Sequence, residues 1–97
     1  MAGKLISVAF EVFGRVQGVW FRKYTKNAAQ ALKLVGWVMN TKHSTVVGCI
    51  QGEKKNVTKM KEWLQHQGSP KSKIEKCEFR DEKNIDSLQF TNFEVRR

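Results

Sequence analysis

Gly14-Arg15-Val16-Gln17-Gly18-Val19-Trp20-Phe21-Arg22 separates two segments of different periodicity. Before it, apolar residues alternate with small or polar ones over positions 5–13, as on a β-strand with one buried face. After it, side chains recur at steps of three and four up to Val35, which predicts an amphipathic helix beginning near Phe21. Gly14 and Gly18 accept backbone angles that other residues disfavour, so the stretch itself predicts a tight loop.

The sequence after the loop predicts the remaining helices and strands of the fold. The first helix is expected to end near Leu34, with Gly36 as its left-handed cap. Two β-prone runs, 36–41 and 45–51, flank a turn at residues 42–44, and a helical stripe follows over 57–64. Shorter β-prone runs occupy 74–80 and 90–95. We therefore predict an α+β fold of the ferredoxin-like sandwich type, βαββαβ with an additional short strand, and two helices on one face of a mostly antiparallel sheet.

Size and charge narrow the function. At 97 residues, positions 1–97 are expected to form a single domain. Eighteen Lys and Arg against nine Asp and Glu give a formal charge of +9, which favours anionic partners. Residues 12–52 contain no acid but six Lys or Arg, so any anion site is expected in the first half of the chain. The same segment lacks the carboxylates that a hard divalent cation prefers, which argues against a metal site.

The loop has the character of an anion-binding site. A helix N-terminus exposes unpaired N–H groups and a partial positive charge, and a preceding glycine-bearing loop can add its own N–H groups. Arg22 stands at the junction, where a guanidinium can bind two phosphate oxygens at once. Arg22 is therefore the leading candidate for an essential residue. The loop alone is weak evidence, because two glycines before a helix also occur in ordinary tight connections.

Other chemistries find little support in the sequence. Cys49 and Cys77 form no metal-ligand spacing and neither begins a Cys-x5-Arg loop, so free thiols are expected. Asp81 and Asp86 lie outside the cationic segment, which disfavours an aspartyl phosphoenzyme. His43 and His66 are expected at the surface. No apolar run of about 18 residues or signal-peptide pattern is present, so we expect a cytoplasmic protein without a membrane segment.

The residues 14–22, followed by Gly36-Trp37-Val38-Met39-Asn40-Thr41 and by Thr45-Val46-Val47-Gly48 through Gln51-Gly52, closely resemble the acylphosphatase family. The resemblance implies hydrolysis of the carboxyl-phosphate bond of acyl phosphates, without metal, cofactor or covalent phosphoenzyme. It also implies that the Asn40 amide orients the attacking water, and that the Arg22 side chain and the loop backbone bind the phosphoryl group. The implied loop residues are Arg15, Val16, Gln17, Gly18, Val19, Trp20, Phe21 and Arg22.

The residue types suit such a reaction independently of the resemblance. The leaving carboxylate has a conjugate acid with a pKa near ~4, so no strong general acid is required. Phosphoryl transfer then depends on positioning and charge stabilisation, which an arginine, amide donors and a neutral side-chain amide can provide. The expected partners are small-molecule acyl phosphates and inorganic phosphate, as product and inhibitor, with no specific nucleic acid and no membrane. The protein is expected to be a monomer.

Two positions depart from the family pattern. Ser44 replaces the glycine usual in the hairpin, and would strain the turn if φ is positive there. Trp20 is a bulky neighbour of Arg22 that is expected to narrow access to the site. Whether the natural substrate is a metabolic mixed anhydride or a phosphorylated carboxylate on a protein is left open by the sequence.

Two other functional hypotheses are compatible with the same fold. An RNA-recognition domain would fit the charge of +9, but no stretch reproduces the Lys/Arg-Gly-Phe type of signature that places aromatic side chains on the central strands. A binding or carbamoyl-handling module within a larger protein would keep the phosphate site, and the length of 97 residues favours an independent enzyme over it.

Overall fold

The computed structural model describes residues 4–18 and 20–96. Its elements follow the predicted order, including the additional strand. They are β1 (Leu5–Arg15), α1 (Phe21–Ala31), β2 (Val35–Asn40), β3 (Val46–Glu53), α2 (Lys54–His66), β4 (Lys73–Ile85) and β5 (Phe93–Arg96). Val19, one of the predicted phosphate-binding residues, lies outside the described residues.

One sheet contains the strands of the described chain, in the order β4-β1-β3-β2-β5. β1 pairs antiparallel with β3 and β4, and β2 pairs antiparallel with β3. Only the additional strand β5 runs parallel to its neighbour, β2. The sheet is therefore mostly antiparallel, and the predicted ferredoxin-like arrangement is confirmed.

The hydrophobic core lies between the sheet and the two helices. The alternation in β1 is confirmed, because Ile6, Val8, Phe10 and Val12 are all buried. The helices contact each other and bury apolar stripes in the same cluster. Their buried residues are Phe21, Thr25 and Ala29 in α1, and Val57, Met60 and Leu64 in α2.

The end of α1 was predicted wrongly. The helix ends at Ala31, three residues before Leu34, and the left-handed residue after it is Lys33, with φ of 56°. The Leu34 amide donates to the Ala29 carbonyl at 2.8 Å, which closes the helix in the manner of a Schellman motif. Gly36 belongs instead to β2, where a Cβ atom would overlap the Cys49 carbonyl. Glycine is needed at this position because β3 approaches closely, and not because it caps the helix.

The last two strands differ from their predicted bounds, which were 74–80 and 90–95. β4 continues five residues past Arg80 to Ile85, over a register shift against β1 near Asp81, whose φ is 56°. Since β4 and β5 lie at opposite edges of the sheet, the segment 86–92 crosses the face opposite the helices. There Gln89 exchanges hydrogen bonds of 2.8 Å with the buried Gln51 side chain. This crossing brings β5 alongside β2 and places Val95 near the start of α1.

Candidate active site

The loop between β1 and α1 has an unusual backbone. Gly14, Gly18 and Trp20 all have positive φ, at 126°, 72° and 61°. A Cβ atom at Gly14 would overlap the Lys73 carbonyl, whereas the space around Gly18 is open, so that Gly18 is required by conformation alone. Trp20 occupies the N-cap position of α1 and provides no side-chain hydrogen bond to the helix. The N–H groups of the first turn therefore have no side-chain cap.

Two buried side chains anchor this loop. Val16 and Phe21 are each 1% exposed. The Phe21 ring lies 5.7 Å from the Trp63 ring of α2, measured between centroids. Since one anchor stands on each side of Gln17, Gly18 and Trp20, the core holds these described loop residues between two fixed points.

A cavity of about 520 Å³ opens beside the loop. Its walls carry the cationic side chains of Arg22, Lys23 and Lys26, and no acidic residue is among the described residues that line it. Arg22 and Lys26 are half-buried, and no ion pair between described residues involves any of the three cations. The remaining lining residues are Val16, Gly18, Trp20, Phe21 and Val95. The cavity thus combines positive charge with an uncapped helix N-terminus, both of which favour an anion.

The Gln17 side chain fastens the loop to the β2–β3 turn. Its Nε2 atom donates to the Thr41 carbonyl at 3.1 Å and to the Thr45 carbonyl at 2.8 Å. The sequence reasoning assigned Gln17 only a backbone role and missed this contact. The acceptors are main-chain carbonyls 24 and 28 positions away, and no residue-type signal marks them.

The turn itself is held by a polar network that the sequence reasoning also missed. The hydroxyls of Thr41 and Thr45 lie 2.7 Å apart, and the Thr41 amide donates to the Thr45 carbonyl at 2.9 Å. The Thr45 hydroxyl donates to the Glu11 carboxylate at 2.6 Å, which also accepts from Arg80 at 3.2 Å. The single acid of the first half thus braces the turn and leaves the cavity uniformly cationic.

Asn40 is the last residue of β2 and directly precedes this turn. It pairs with Val46 across the hairpin and is half-buried. Its side-chain Oδ1 atom is buried and has no hydrogen-bond partner among the described residues. A buried polar atom without a partner costs about 1–3 kcal/mol, so its retention at this position favours a functional role.

The predicted site residues fall into three groups. Val16, Gly18, Trp20, Phe21 and Arg22 line the cavity together. Gln17 faces the turn, and Asn40 stands next to Thr41, which accepts from Gln17. Neither of these two lines the cavity. Arg15 is the exposed last residue of β1 and is not part of the cavity wall, so the structure does not place its side chain at the site.

The two departures from the expected pattern have visible consequences. Ser44 has a φ of 65°, so the left-handed conformation that favours glycine is present at this position. Trp20 is 70% exposed at the mouth of the cavity, with the Lys23 ammonium 5.2 Å from the centroid of its ring. Phe21, by contrast, is a core residue.

The thiols are poorly suited to nucleophilic catalysis. Cys49 and Cys77 are both free and half-buried. Burial, with a contribution from neighbouring Glu78, raises the pKa of the Cys77 thiol to about 12. This thiol stays protonated at neutral pH, and a thiol is a far weaker nucleophile than a thiolate. Neither cysteine lines the cavity.

The described residues also show neither a metal-binding cluster nor a membrane-spanning helix. No cluster of three or more His, Cys, Asp or Glu side chains occurs there in an arrangement that could hold a metal ion. Among the helices described, neither has the length and apolar character needed to cross a membrane.

Comparison with known proteins gives consistent matches. The model of the acylphosphatase family matches residues 8–95. The chain is 53% identical over 94 residues to Acylphosphatase-2 of Xenopus tropicalis, covering 97% of this chain and 91% of that protein. It is 52% identical over 99 residues to Acylphosphatase-1 of Gallus gallus, with both chains covered completely. The solved acylphosphatase of Bacillus subtilis has a TM-score of 0.86 and 30% identity, over 95% of this chain and 99% of that one.

Proposed function

Since the chain belongs to the acylphosphatase family and is an enzyme that hydrolyses acyl phosphates, we propose how its own residues carry out that reaction. The loop amides between Arg15 and Arg22, together with the Arg22 guanidinium, hold the phosphoryl group. The Asn40 side-chain amide orients the attacking water. The observation that carries this proposal is the cavity beside the loop, whose described wall combines Arg22 with an uncapped helix N-terminus and contains no carboxylate side chain.

Binding of the phosphoryl group follows from charge and geometry. The N–H groups of the first turn of α1 have no side-chain cap, so an anion placed there satisfies them. The guanidinium of Arg22 adds two parallel donors on the same side of the cavity. These donors are held in place by the buried anchors Val16 and Phe21, and therefore need little rearrangement when charge develops in the transition state.

Asn40 supports the water-positioning role through its free amide oxygen. In the part of the chain that the structure describes, the buried Oδ1 atom has no hydrogen-bond partner, and a water molecule can donate a hydrogen bond to it. The Gln17 side chain links the phosphate loop to the residue that follows Asn40, which keeps the two parts of the site in register. A neutral amide suits this task, because a carboxylate would repel the phosphoryl oxygens.

The reaction then needs no acid from the protein. The water oxygen forms a bond to phosphorus as the bond between phosphorus and the acyl oxygen breaks. The bonding pair leaves with the carboxylate, whose conjugate acid has a pKa near ~4 and which is stable without a proton at neutral pH. Both protons of the water remain on the phosphate, which is released as dihydrogen phosphate. Arg22 and the loop amides offset the charge on the phosphoryl oxygens throughout.

The proposal includes no covalent intermediate and no metal. The cavity wall contains no Cys, Asp, Glu or His to act as a nucleophile, and no carboxylate to ligate a divalent cation. We further propose that the enzyme works as a cytoplasmic monomer on free, small-molecule acyl phosphates, with inorganic phosphate as product and inhibitor.

The experiment that tests this function is a steady-state assay with benzoyl phosphate in the presence of EDTA. We expect hydrolysis at a rate that EDTA does not change, and competitive inhibition by inorganic phosphate. Loss of activity in EDTA that returns on addition of a divalent metal would refute the metal-independent mechanism. Noncompetitive inhibition by phosphate would show that the anion binds elsewhere.

A further inference from the structure

The cavity beside the loop is much larger than the group that it is proposed to hold. A phosphoryl group displaces only a few water molecules, each of about 30 Å³, whereas the cavity measures about 520 Å³. Beyond Arg22 its wall continues to Lys23, Lys26 and Val95. If the phosphoryl group occupies the loop end, the acyl portion of the substrate extends toward these residues.

Lys26 lies on the same wall as Arg22, one helical turn further from the loop. It follows Arg22 by four residues on α1, so the two side chains share one face of the helix, about 6 Å apart along its axis. Lys26 is half-buried, whereas Lys23 is exposed and lies over the Trp20 ring. A substrate that reaches from Arg22 along the helix therefore meets Lys26 one turn later.

The acidic group nearest in sequence to this end of the cavity is already engaged. Glu94 precedes Val95 and lies 3.9 Å from Arg96. No ion pair between described residues includes Lys26, and none of the described residues that line the cavity carries a carboxylate. Among the described residues, the ammonium of Lys26 thus has no ion-pair partner while its stem is partly withdrawn from solvent, which favours a bound anion.

We propose that Lys26 is a specificity-determining residue that binds a second anionic group, a carboxylate or phosphate, on the acyl portion of the substrate. The preferred substrates are acyl phosphates that carry this additional negative charge about one helical turn from the phosphoryl group. The inference rests on the proposed function, because it assumes that the phosphoryl group lies at the loop and Arg22. It adds a subsite that the phosphate loop does not contain.

A pair of matched substrates tests the subsite. Benzoyl phosphate and 4-carboxybenzoyl phosphate share the reacting group and differ by one carboxylate. For each enzyme the measured quantity is the ratio of kcat/KM for the carboxylated substrate to kcat/KM for the plain one, so that intrinsic reactivity cancels between enzymes. In Lys26→Met, which keeps an unbranched stem without the charge, we expect this ratio to fall about tenfold, the scale of one charge-assisted hydrogen bond.

Three further variants show whether the effect depends on the charge of Lys26 itself. Lys59→Met removes a charge from the exposed face of α2 and is expected to retain the wild-type ratio, which separates a local contact from the general field of the protein. Lys26→Glu is expected to lower the ratio further than Lys26→Met does. Lys26→Arg, which keeps the positive charge, is expected to retain most of the wild-type ratio. Circular dichroism and thermal melts of each variant identify any that fails to fold, and the folded members of the set then decide the ratio.

The outcomes that overturn the subsite differ from those that overturn the proposed function. An unchanged ratio in Lys26→Met, or an equal fall in Lys59→Met, would exclude Lys26 as a specificity residue while benzoyl phosphate is still hydrolysed and phosphate still competes. If the wild-type protein hydrolyses neither substrate, or phosphate does not compete, the proposed function itself fails.

Discussion

The phosphate loop (residues 14–22) and the β2–β3 turn (residues 41–45) differ in how their polar groups are satisfied. Three of the described residues in the loop have positive φ, and the loop leads into a helix whose first turn lacks a side-chain cap. The turn has one such residue, Ser44, and satisfies its own groups through Thr41, Thr45 and Glu11. The loop keeps donors available for a ligand, and the turn is braced against movement.

This comparison indicates a division of labour within one site. In the proposed mechanism, charge and hydrogen-bond donors for the phosphoryl group come from the loop and Arg22, whereas the turn fixes the end of β2 and with it Asn40. Gln17 is the direct link between the two regions. Changes in the loop should therefore affect phosphate binding, changes at Asn40 should affect turnover, and changes in the turn should mainly affect stability.

The largest effect is expected at Arg22. Arg22→Ala should lower kcat/KM for benzoyl phosphate by ~10² or more, because it removes the bidentate donor from a preorganised anion site. Arg22→Lys should recover only part of this loss, since an ammonium keeps the charge without the planar pair of donors. Lys59→Ala on the exposed face of α2 is the control and should remain near wild type. Unchanged turnover in Arg22→Ala would end the assignment of the loop as the phosphate site.

Asn40 sharpens the comparison by separating binding from chemistry. In Asn40→Ala we expect kcat to fall by ~10² while the inhibition constant of inorganic phosphate stays within about twofold of wild type. The reason is that the substitution removes the water-positioning amide and leaves the loop and Arg22 in place. A weaker phosphate affinity with a normal kcat would reject the water-positioning role.

A smaller effect is expected for the link between the two regions. Gln17→Leu removes both donors, so the Thr41 carbonyl loses this partner, while the Thr45 carbonyl keeps only its bond from the Thr41 amide. We expect a loss of about tenfold in kcat/KM and a fall of about 1–2 kcal/mol in the free energy of unfolding, measured by urea denaturation. Gln65→Leu, at an exposed position of α2, is the matched control. Equal behaviour of the two variants would mean that the loop and turn hold their positions independently.

The smallest effect is expected in the turn itself. Ser44→Gly should raise the free energy of unfolding by about 0.5 kcal/mol, because the relief of a strained φ of 65° exceeds the added flexibility of the unfolded chain. Since the Thr41–Thr45–Glu11 network remains, kcat should stay within about twofold of wild type. Thermal or urea unfolding measures the first value and the benzoyl phosphate assay the second. A lower stability in Ser44→Gly would contradict the strain argument.

The sequence predicted most of the features that depend on local residue patterns. The alternation of β1, the apolar stripes of both helices and the glycine-bearing loop all gave the fold, and the position of Arg22 after that loop placed it correctly on the cavity wall. Ser44 was correctly suspected of positive φ because of its place in the hairpin.

What the sequence could not predict depends on long-range contacts. The Gln17 side chain bonds to main-chain carbonyls, which carry no residue identity, and the bonds of Glu11 to Thr45 and Arg80 join three separate strands or turns. The end of α1 was misplaced because Lys33 adopts the left-handed conformation that Gly36 was expected to provide. Tertiary packing of Gly36 against β3 decided that outcome.

The central claim is that loop amides and Arg22 form one phosphate site with Asn40 beside it. Titration of the ¹⁵N-labelled protein with inorganic phosphate, followed by two-dimensional NMR, tests it most directly. The account predicts that the backbone amides of Gly18, Phe21 and Arg22 and the side-chain amide of Asn40 shift with one common dissociation constant, and that Arg22→Ala abolishes the response. Shifts confined to other parts of the chain, or an unchanged dissociation constant in Arg22→Ala, would contradict it.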